Sequence, residues 1–422
     1  MNDITLPTWQ TSGLTFAFHE LDDMRMSFAF EARKHLQLIE AEMQKIASAR
    51  KHPELLHTTQ QRLDGLYTAH QSQLKSLRAL LLPLGYRELS LPAEESLAHL
   101  SQATSVLASN FENLFRDWVW GDDEVQATIA EIEKALGDVK SNANILFLGA
   151  GGCRIPYELH HKFTNCSTTV SDINPLLLSV AQKAIHGDGI HLVEFPSTPA
   201  INKSPFFERQ LMAKKPIVEN FDFLVSDARI PAFAEKTIDI IFTPWLLDVV
   251  HMDLADFLSV INFQLPINGT WVNSGPLQFE YRGVENMYSL AEIKEMIKAS
   301  GFSIEYEHSA RIPYMKAHHI GTARIEEVLT FRARKIKDVE LVEFNPLMNQ
   351  PDWYLDHQLP IRFPGDTTKL ANAYHTNAQV LRMVDGKRTL NDITQQLMIQ
   401  FKNAQFSEVK YFAANIIKNS AL

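Results

Sequence analysis

The sequence predicts an α/β protein: a Rossmann-like, seven-stranded and mostly parallel sheet, with a helical domain before it and a small helical module after it. Three observations carry that prediction. Between residues 140 and 336 short apolar runs alternate with helical stretches, the order that builds a parallel sheet with crossover helices. The first run, Ile145, Leu146, Phe147 and Leu148, passes directly into Gly149, Ala150, Gly151 and Gly152, a buried strand entering a glycine-rich turn. On both sides of this region apolar residues recur at helical spacing.

Residues 1–139 are expected to be the helical domain. Phe28, Ala32, Leu36, Ile39, Met43 and Ile46 share one helical face, with His35, Gln37, Glu40 and Gln44 in the gaps. A second helical stretch starts at Pro53 and is broken by Leu82, Pro83, Leu84 and Gly85. Another is expected over residues 92–118 and, after the break at Gly121, Asp122 and Asp123, one more over 124–136.

Residues 140–336 carry the sheet. Strands are expected at 144–148, 168–171, 221–225, 238–242 and 270–274, with two more near 303–308 and 326–333. Residues 289–299 read as a helix with Ile293, Met296 and Ile297 on its apolar face and Gly301 as its stop. Residues 195–220, with Pro196, Pro199, Pro205 and Pro216, read as an inserted loop. Residues 337–422 begin as a connector punctuated by Pro346, Pro351, Pro360 and Pro364. Helices near 369–384, 390–401 and 408–418 follow, with a turn at Asp385 and Gly386 and a capping box of Thr389 with Asp392.

Composition bounds the function. Apolar residues make up 45% and charged residues 21%, the balance of a globular protein with real cores. The formal charge is −10 and no long basic run occurs, which argues against a nucleic-acid partner. Only Cys153 and Cys166 are present, too few for a disulfide framework. No apolar run reaches the roughly 18 residues of a membrane span, and residues 1–10 lack a signal pattern. A cytoplasmic protein with no membrane partner is the expectation. His160 with His161 and His318 with His319 are adjacent pairs, which seldom ligate one ion, so no metal is expected.

A glycine turn lets a ligand approach the backbone, and the helix after it offers free N–H groups. Alone it is only a tight turn. Two acids change its meaning. Asp172 follows the second strand about 20 residues on, where a carboxylate accepts ribose hydroxyls. Asp227 ends the third strand, in Ser226, Asp227, Ala228, within reach of an adenine amino group. Ile173 and Ala228, next in the chain after each acid, complete the expected cofactor set with Gly149, Ala150 and Gly151. The third glycine of the dinucleotide fingerprint is absent, since Arg154 stands there. S-adenosylmethionine (AdoMet) is therefore expected, with NAD as the weaker alternative.

These residues, with three further segments, resemble the carnosine N-methyltransferase-like (N2227-type) family across about residues 105–335. Phe115, Arg116, Asp117 and Trp118 look like its arginine-aspartate-tryptophan element. Gly149 through Ile155, with Glu158, is similar to its glycine loop, except that Cys153 takes a glycine position. Leu247, Asp248, Val249, Val250 and His251 resemble its I-D-x-x-H segment, and Trp271 through Leu277 its W-I-N-x-G-P-L strand end. The resemblance implies an AdoMet-dependent N-methyltransferase of the seven-stranded class I fold. By it, Arg154 would help hold the AdoMet carboxylate, Asp172 the ribose, and Asp248 a substrate imidazole. Arg116, just ahead of the first strand, is either a cofactor contact or a surface ion-pair partner. His251 is either a substrate contact or a packing residue.

Two departures bear on the acceptor. Where the family places a substrate-contacting histidine after G-P-L, this chain has Gln278, Phe279, Glu280 and Tyr281, so Glu280 stands in for it. Ala323, Arg324 and Ile325 occupy the stretch where the family has a tyrosine cluster. Another imidazole, or another amine, is a safer expectation than carnosine itself. Val384 through Leu390, with Ile393, resembles the PqqD-like domains that grip leader peptides, which would make the C-terminal module a peptide recruiter; a winged-helix-like packing or homodimer module is the alternative. The expected function is methylation of an imidazole nitrogen on a small molecule or peptide. Tailoring of a ribosomally made precursor and a non-catalytic AdoMet-binding regulator are the rivals.

Overall fold

The computed structural model describes residues 4–82, 84, 111–163, 165–201, 203–217, 219–279, 283–344, 352–356, 358–361 and 375–421. The chain opens on a hairpin, β1 (Thr8–Thr11) and β2 (Leu14–Ala17), turned at Ser12 and Gly13. The all-helical expectation for residues 1–139 is corrected here. Leu14 and Phe16 are fully buried because β2 lies along β7 as a parallel neighbour. The long helices α1 (Leu21–Ala49) and α2 (His57–Leu81) follow as expected. Most of the helix expected over 92–118 lies outside the described residues. Its described end is the short α3 (Glu112–Phe115), which continues as a π-helical turn, Arg116–Trp120, before α4 (Asp122–Leu136).

The sheet region runs β3 (Asn144–Leu148), α5 (Arg154–His160), β4 (Ser167–Asp172), α6 (Pro175–His186), β5 (Ile190–Glu194), β6 (Phe207–Leu211), β7 (Phe221–Val225) and β8 (Ile240–Pro244). It continues through α7 (Leu254–Gln264), β9 (Thr270–Gly275), α8 (Leu290–Ala299), β10 (Phe302–Tyr314) and β11 (Arg324–Lys335). All seven expected strands are present, and the hairpin extends the sheet to nine in the order β1-β2-β7-β4-β3-β8-β9-β11-β10. The strands from β2 to β9 in that order are parallel, and the last pair returns antiparallel. Reversal of strand order on either side of β3 opens a crevice at the carboxyl ends of the central strands, where ligands of such sheets bind. A second correction concerns residues 195–220: they contain β6, which pairs with β5 in a separate antiparallel ribbon.

The core explains why these runs are strands. Phe147 of β3 and Phe242 of β8 stack at 4.4 Å, and the fully buried Trp271 of β9 packs edge-on to Phe331 of β11 at 4.8 Å. Phe257, Leu258 and Ile261 of α7 and Ile293 and Ile297 of α8 cover the cluster that holds Trp271 and Phe331. α8 begins with a capping box of Ser289 and Glu292, which satisfies N–H groups that a helix start otherwise leaves unpaired.

Two compact units are distinguished. The described residues of one lie within Met1–Leu21, Ile39–Leu84 and Asn110–Phe344; those of the other lie within Asp22–Leu38 and Asn345–Leu422. The second unit contains α9 (Asp352–Leu355), α10 (His375–Met383), α11 (Leu390–Met398) and α12 (Phe406–Ala421). Its core joins Ala29 and Phe30 of α1 to Val380, Leu390, Ile393, Phe412 and Ile417. The expected Thr389–Asp392 capping box is formed at the start of α11. No helix among the described residues is long and apolar enough to cross a membrane.

Candidate functional site

The site is built from the turns that follow β3, β4, β7 and β8. After Leu148 the chain passes Gly149, which lies against Leu246, and buried Ala150 to reach Gly151. Gly151 is left-handed, φ 53°, and a Cβ placed there would meet nothing within 4 Å. The turn therefore opens onto free space. Gly151 N–H donates to Asp172 Oδ2 at 2.8 Å, and Asn174 N–H donates to Oδ1 at 2.8 Å. Asp172 thereby ties the ends of β3 and β4 together while keeping lone pairs for a ligand. Burial raises its carboxyl above the usual range, against the N–H groups of Asn174, Gly151 and Ile173, which favour the anion. Ile173 beside it is 53% exposed, an apolar side chain at the strand end.

Asp227 lies two residues beyond β7 and is buried. Ser226 Oγ and Ser171 Oγ, 2.7 Å apart, align that strand end with β4. Arg229 grips Asp227 through Nη2 to Oδ2 at 2.6 Å, Nε to Oδ1 at 2.9 Å and its own backbone N–H at 3.0 Å. Ala228 between them packs on the main core.

The π-helical turn is pressed onto the glycine loop. Trp118 Nε1 donates to the Gly152 carbonyl at 2.8 Å, and Arg154 Nη1 donates to the Asp117 carbonyl at 2.6 Å. A Cβ on Gly152 would lie 2.4 Å from Asp117 Oδ2, so only glycine permits this approach. Arg154 Nε and Nη2 are bound by Glu158 at 2.8 Å and Asp122 at 2.9 Å, so all three nitrogens of this buried guanidinium engage the chain itself. Arg116 pairs with Asp117 at 2.8 Å and with Glu124 at 3.4 Å. Burial works against its charge, yet Asp117 and Glu124 outweigh burial and hold the guanidinium above its ordinary range. Burial likewise raises the Glu124 carboxyl, with Arg116 opposing.

The acceptor side is a second cluster. Trp245 follows β8 in the left-handed region, φ 54°, an uncommon conformation for a bulky residue, and its N–H donates to Ser274 O at 2.9 Å. Its ring lies 4.9 Å from that of Tyr314, over which Arg324 and Arg116 sit at 4.6 and 5.8 Å. Asp248, half-buried in the turn after Trp245, accepts the backbone N–H of Gln278 at 3.1 Å. The Gln278 side chain reaches the buried Glu326 at 3.4 Å. His251 is exposed, in a bend and not on a helical face with Asp248, and its carbonyl accepts Arg229 Nη1 at 3.4 Å. Glu280 lies outside the described residues. Asn273 of the W-x-N-x-G-P-L strand is buried against Thr243 at 3.0 Å, so that part of the segment is sheet structure.

Sequence reasoning missed several partners. Glu194 is buried and accepts from Trp120 Nε1 at 3.0 Å, Arg209 Nε at 2.7 Å and His319 Nε2 at 2.7 Å. It joins the end of the π-turn, β6 and the β10–β11 connection, and no residue spacing advertises such a hub. His160 is accounted for by Thr168 Oγ1 at 2.8 Å. Tyr314 becomes visible only once β10 and β11 pair and set it opposite Arg324.

The arrangement fits AdoMet. The glycine turn leaves room for close approach and Asp172 keeps lone pairs beside the apolar Ile173, whereas Asp227 is gripped by Arg229 and Arg116 by Asp117 and Glu124. Among solved structures, the chain is similar to a putative methyltransferase of Bacillus halodurans, with 13% identity over 50% of this chain and 100% of that one, TM-score 0.36. A SAM-dependent methyltransferase of Aquifex aeolicus is 12% identical over 53% of this chain and 92% of that one, TM-score 0.33. A chain in the complex of the Haloferax volcanii Trm112 methyltransferase activator with the putative methyltransferase is 13% identical over 56% and 99%, TM-score 0.40. No curated protein matches. The family model of the carnosine N-methyltransferases matches residues 93–335, more than half of the chain, from before the π-turn to the end of β11; the chain belongs to that family and is an AdoMet-dependent methyltransferase.

Proposed function

We propose that the chain methylates an imidazole nitrogen of a small molecule or peptide, with Asp248 orienting the acceptor. The observation that carries this is the position of Asp248: half-buried in the turn after β8, at the same sheet edge as Gly151, Asp172 and Asp227, and three residues after Trp245, whose ring packs on Tyr314. AdoMet supplies an electrophilic sulfonium methyl. Transfer is an in-line displacement, so the acceptor nitrogen must be neutral and aimed. Asp248 accepts N–H from one imidazole nitrogen, which fixes the tautomer and leaves the lone pair of the other for attack. That lone pair forms the N–C bond as the S–C bond breaks, and the remaining proton stays at the carboxylate until it leaves to water. Gly151, Ala150, Gly149, Asp172, Ile173, Asp227 and Ala228 line the cofactor side, with Arg116 at its carboxylate end. Arg154 acts there by holding the π-turn against the loop.

Asp248→Asn keeps the size but presents an amide N–H where an oxygen must accept. A misplacement of about 1 Å costs on the order of 100-fold in rate, so single-turnover methylation of imidazole acceptors should fall at least that far. AdoMet affinity by calorimetry should stay unchanged. Raising the pH should give no rescue if orientation is what is lost. Near-wild-type rates would move the acceptor site towards Glu280 and His251.

A further inference from the structure

We propose that Arg324 is the specificity-determining anion grip of the acceptor site, so that the acceptor carries a carboxylate or other anionic group away from the nitrogen that is methylated. The inference rests on the acceptor lying beside Asp248. Arg324 opens β11 and stands directly opposite Tyr314 in the β10–β11 ladder. Its guanidinium carbon sits 4.6 Å from the centroid of that ring, and its Nε contacts Glu326 Oε1 at 2.5 Å. A side chain 68% exposed would normally sample many rotamers; here the ring and the buried carboxylate give it two partners. Glu326 is fixed in turn by Gln278, whose backbone N–H is held by Asp248. One continuous set of contacts therefore runs from the residue assigned to the acceptor nitrogen to Arg324.

Glu326 occupies the Nε side of the guanidinium. The two terminal nitrogens make no hydrogen bond to a described residue, and they form the edge that receives a planar anion in two parallel bonds. The rings of Tyr314 and Trp245, tilted against each other at 4.9 Å, give an aromatic surface beside the guanidinium. Arg116, 5.8 Å from the centre of the same ring, is itself committed to Asp117 and Glu124, and the Glu124 carboxyl also feels the charge of Arg324. An acceptor that is cationic at both ends would set a positive charge against the open edge of that guanidinium. A neutral imidazole carrying a carboxylate meets a partner at each end.

The experiment compares wild type with Arg324→Met and Arg324→Lys on carnosine and on its decarboxylated analogue, which share the imidazole and differ in the carboxylate. Wild type should favour the carboxylate by at least about tenfold in kcat/KM, the scale of one charge-assisted pair. Arg324→Met should erase that preference through KM, Arg324→Lys should keep part of it, and AdoMet affinity should not change in either. An unchanged preference in Arg324→Met overturns the proposal, because loss of packing alone would slow both acceptors equally. If wild type methylates neither compound, the acceptor is not of the carnosine type, and labelled AdoMet with a small-molecule extract decides the grip separately. The acceptors lost in Arg324→Met must then be anionic at neutral pH; loss of cationic or neutral acceptors, or no loss, overturns it.

Discussion

Asp172 serves the fold by tying two strand ends together, and on the proposed reading it receives the ribose as well. Its two oxygens take N–H groups from Gly151 and Asn174, and Asn174 caps α6 with its own side chain. Truncating it strands those donors and removes the ribose acceptor together. Asp172→Ala should therefore weaken AdoMet binding by roughly 1–3 kcal/mol, the range for stranded buried partners. Isothermal calorimetry measures this, and an unchanged affinity would remove Asp172 from the ribose site. Both acids were legible in the sequence, because strand ends at regular spacing deliver carboxylates to one sheet edge. Their neighbours were not. Arg229 wraps back on Asp227 from two residues away, and Arg154 turns to Glu158, Asp122 and the Asp117 carbonyl. Such choices are made by local geometry and packing, which residue spacing does not encode.

The π-helical turn Arg116–Trp120 is the element that sets the glycine loop. Its wide bond, Gly121 N–H to Arg116 O at 2.7 Å, inserts one extra residue and so brings Arg116, Asp117 and Trp118 to bear on one neighbourhood. Turns of this kind cluster at functional sites. A Cβ on Gly121 would sit 2.4 Å from Arg116 O, so the turn also depends on that glycine. Trp118→Phe keeps an aromatic ring and deletes the N–H to the Gly152 carbonyl together with part of the indole. Leaving that carbonyl unpaired costs about 1 kcal/mol or more, so the variant should melt lower and bind AdoMet about fivefold more weakly. Thermal melting with and without AdoMet checks both, and unchanged values would mean the bond does not hold the loop. Among elements, the seven strands were readable because each is an apolar run between breakers. β6 was hidden because Phe207, Glu208, Arg209 and Gln210 alternate without an apolar run and prolines flank them. The β1–β2 hairpin was hidden because strands of four residues leave too little alternation to count.

Across the whole molecule, every described site residue belongs to the sheet unit, while the second unit has a core of its own. Grouping of Ala29 and Phe30 with helices more than 300 residues later was not legible, since spacing along a chain reports a helix's face and not what covers it. That second unit should carry a distinct acid sensitivity. His35 of α1 is only 9% exposed, and burial lowers its pKa from 6.5 to about 4. Above pH 6.5 both folded and unfolded chains hold it neutral, and it contributes nothing to stability. As the pH falls below 6.5 the unfolded chain takes up a proton that the folded chain refuses, so stability drops, and the loss levels off only below pH 4. Linkage puts the deficit at about 2 kcal/mol at pH 5, as an order of magnitude. His35→Gln has no proton to refuse. Denaturant unfolding at pH 7 and pH 5, followed by Trp353 fluorescence or by hydrogen exchange in α11 and α12, should show a smaller pH 7 to 5 loss in the variant than in wild type. Equal losses in the two proteins would mean that His35 titrates normally, and that the acid limb of stability comes from carboxylates instead.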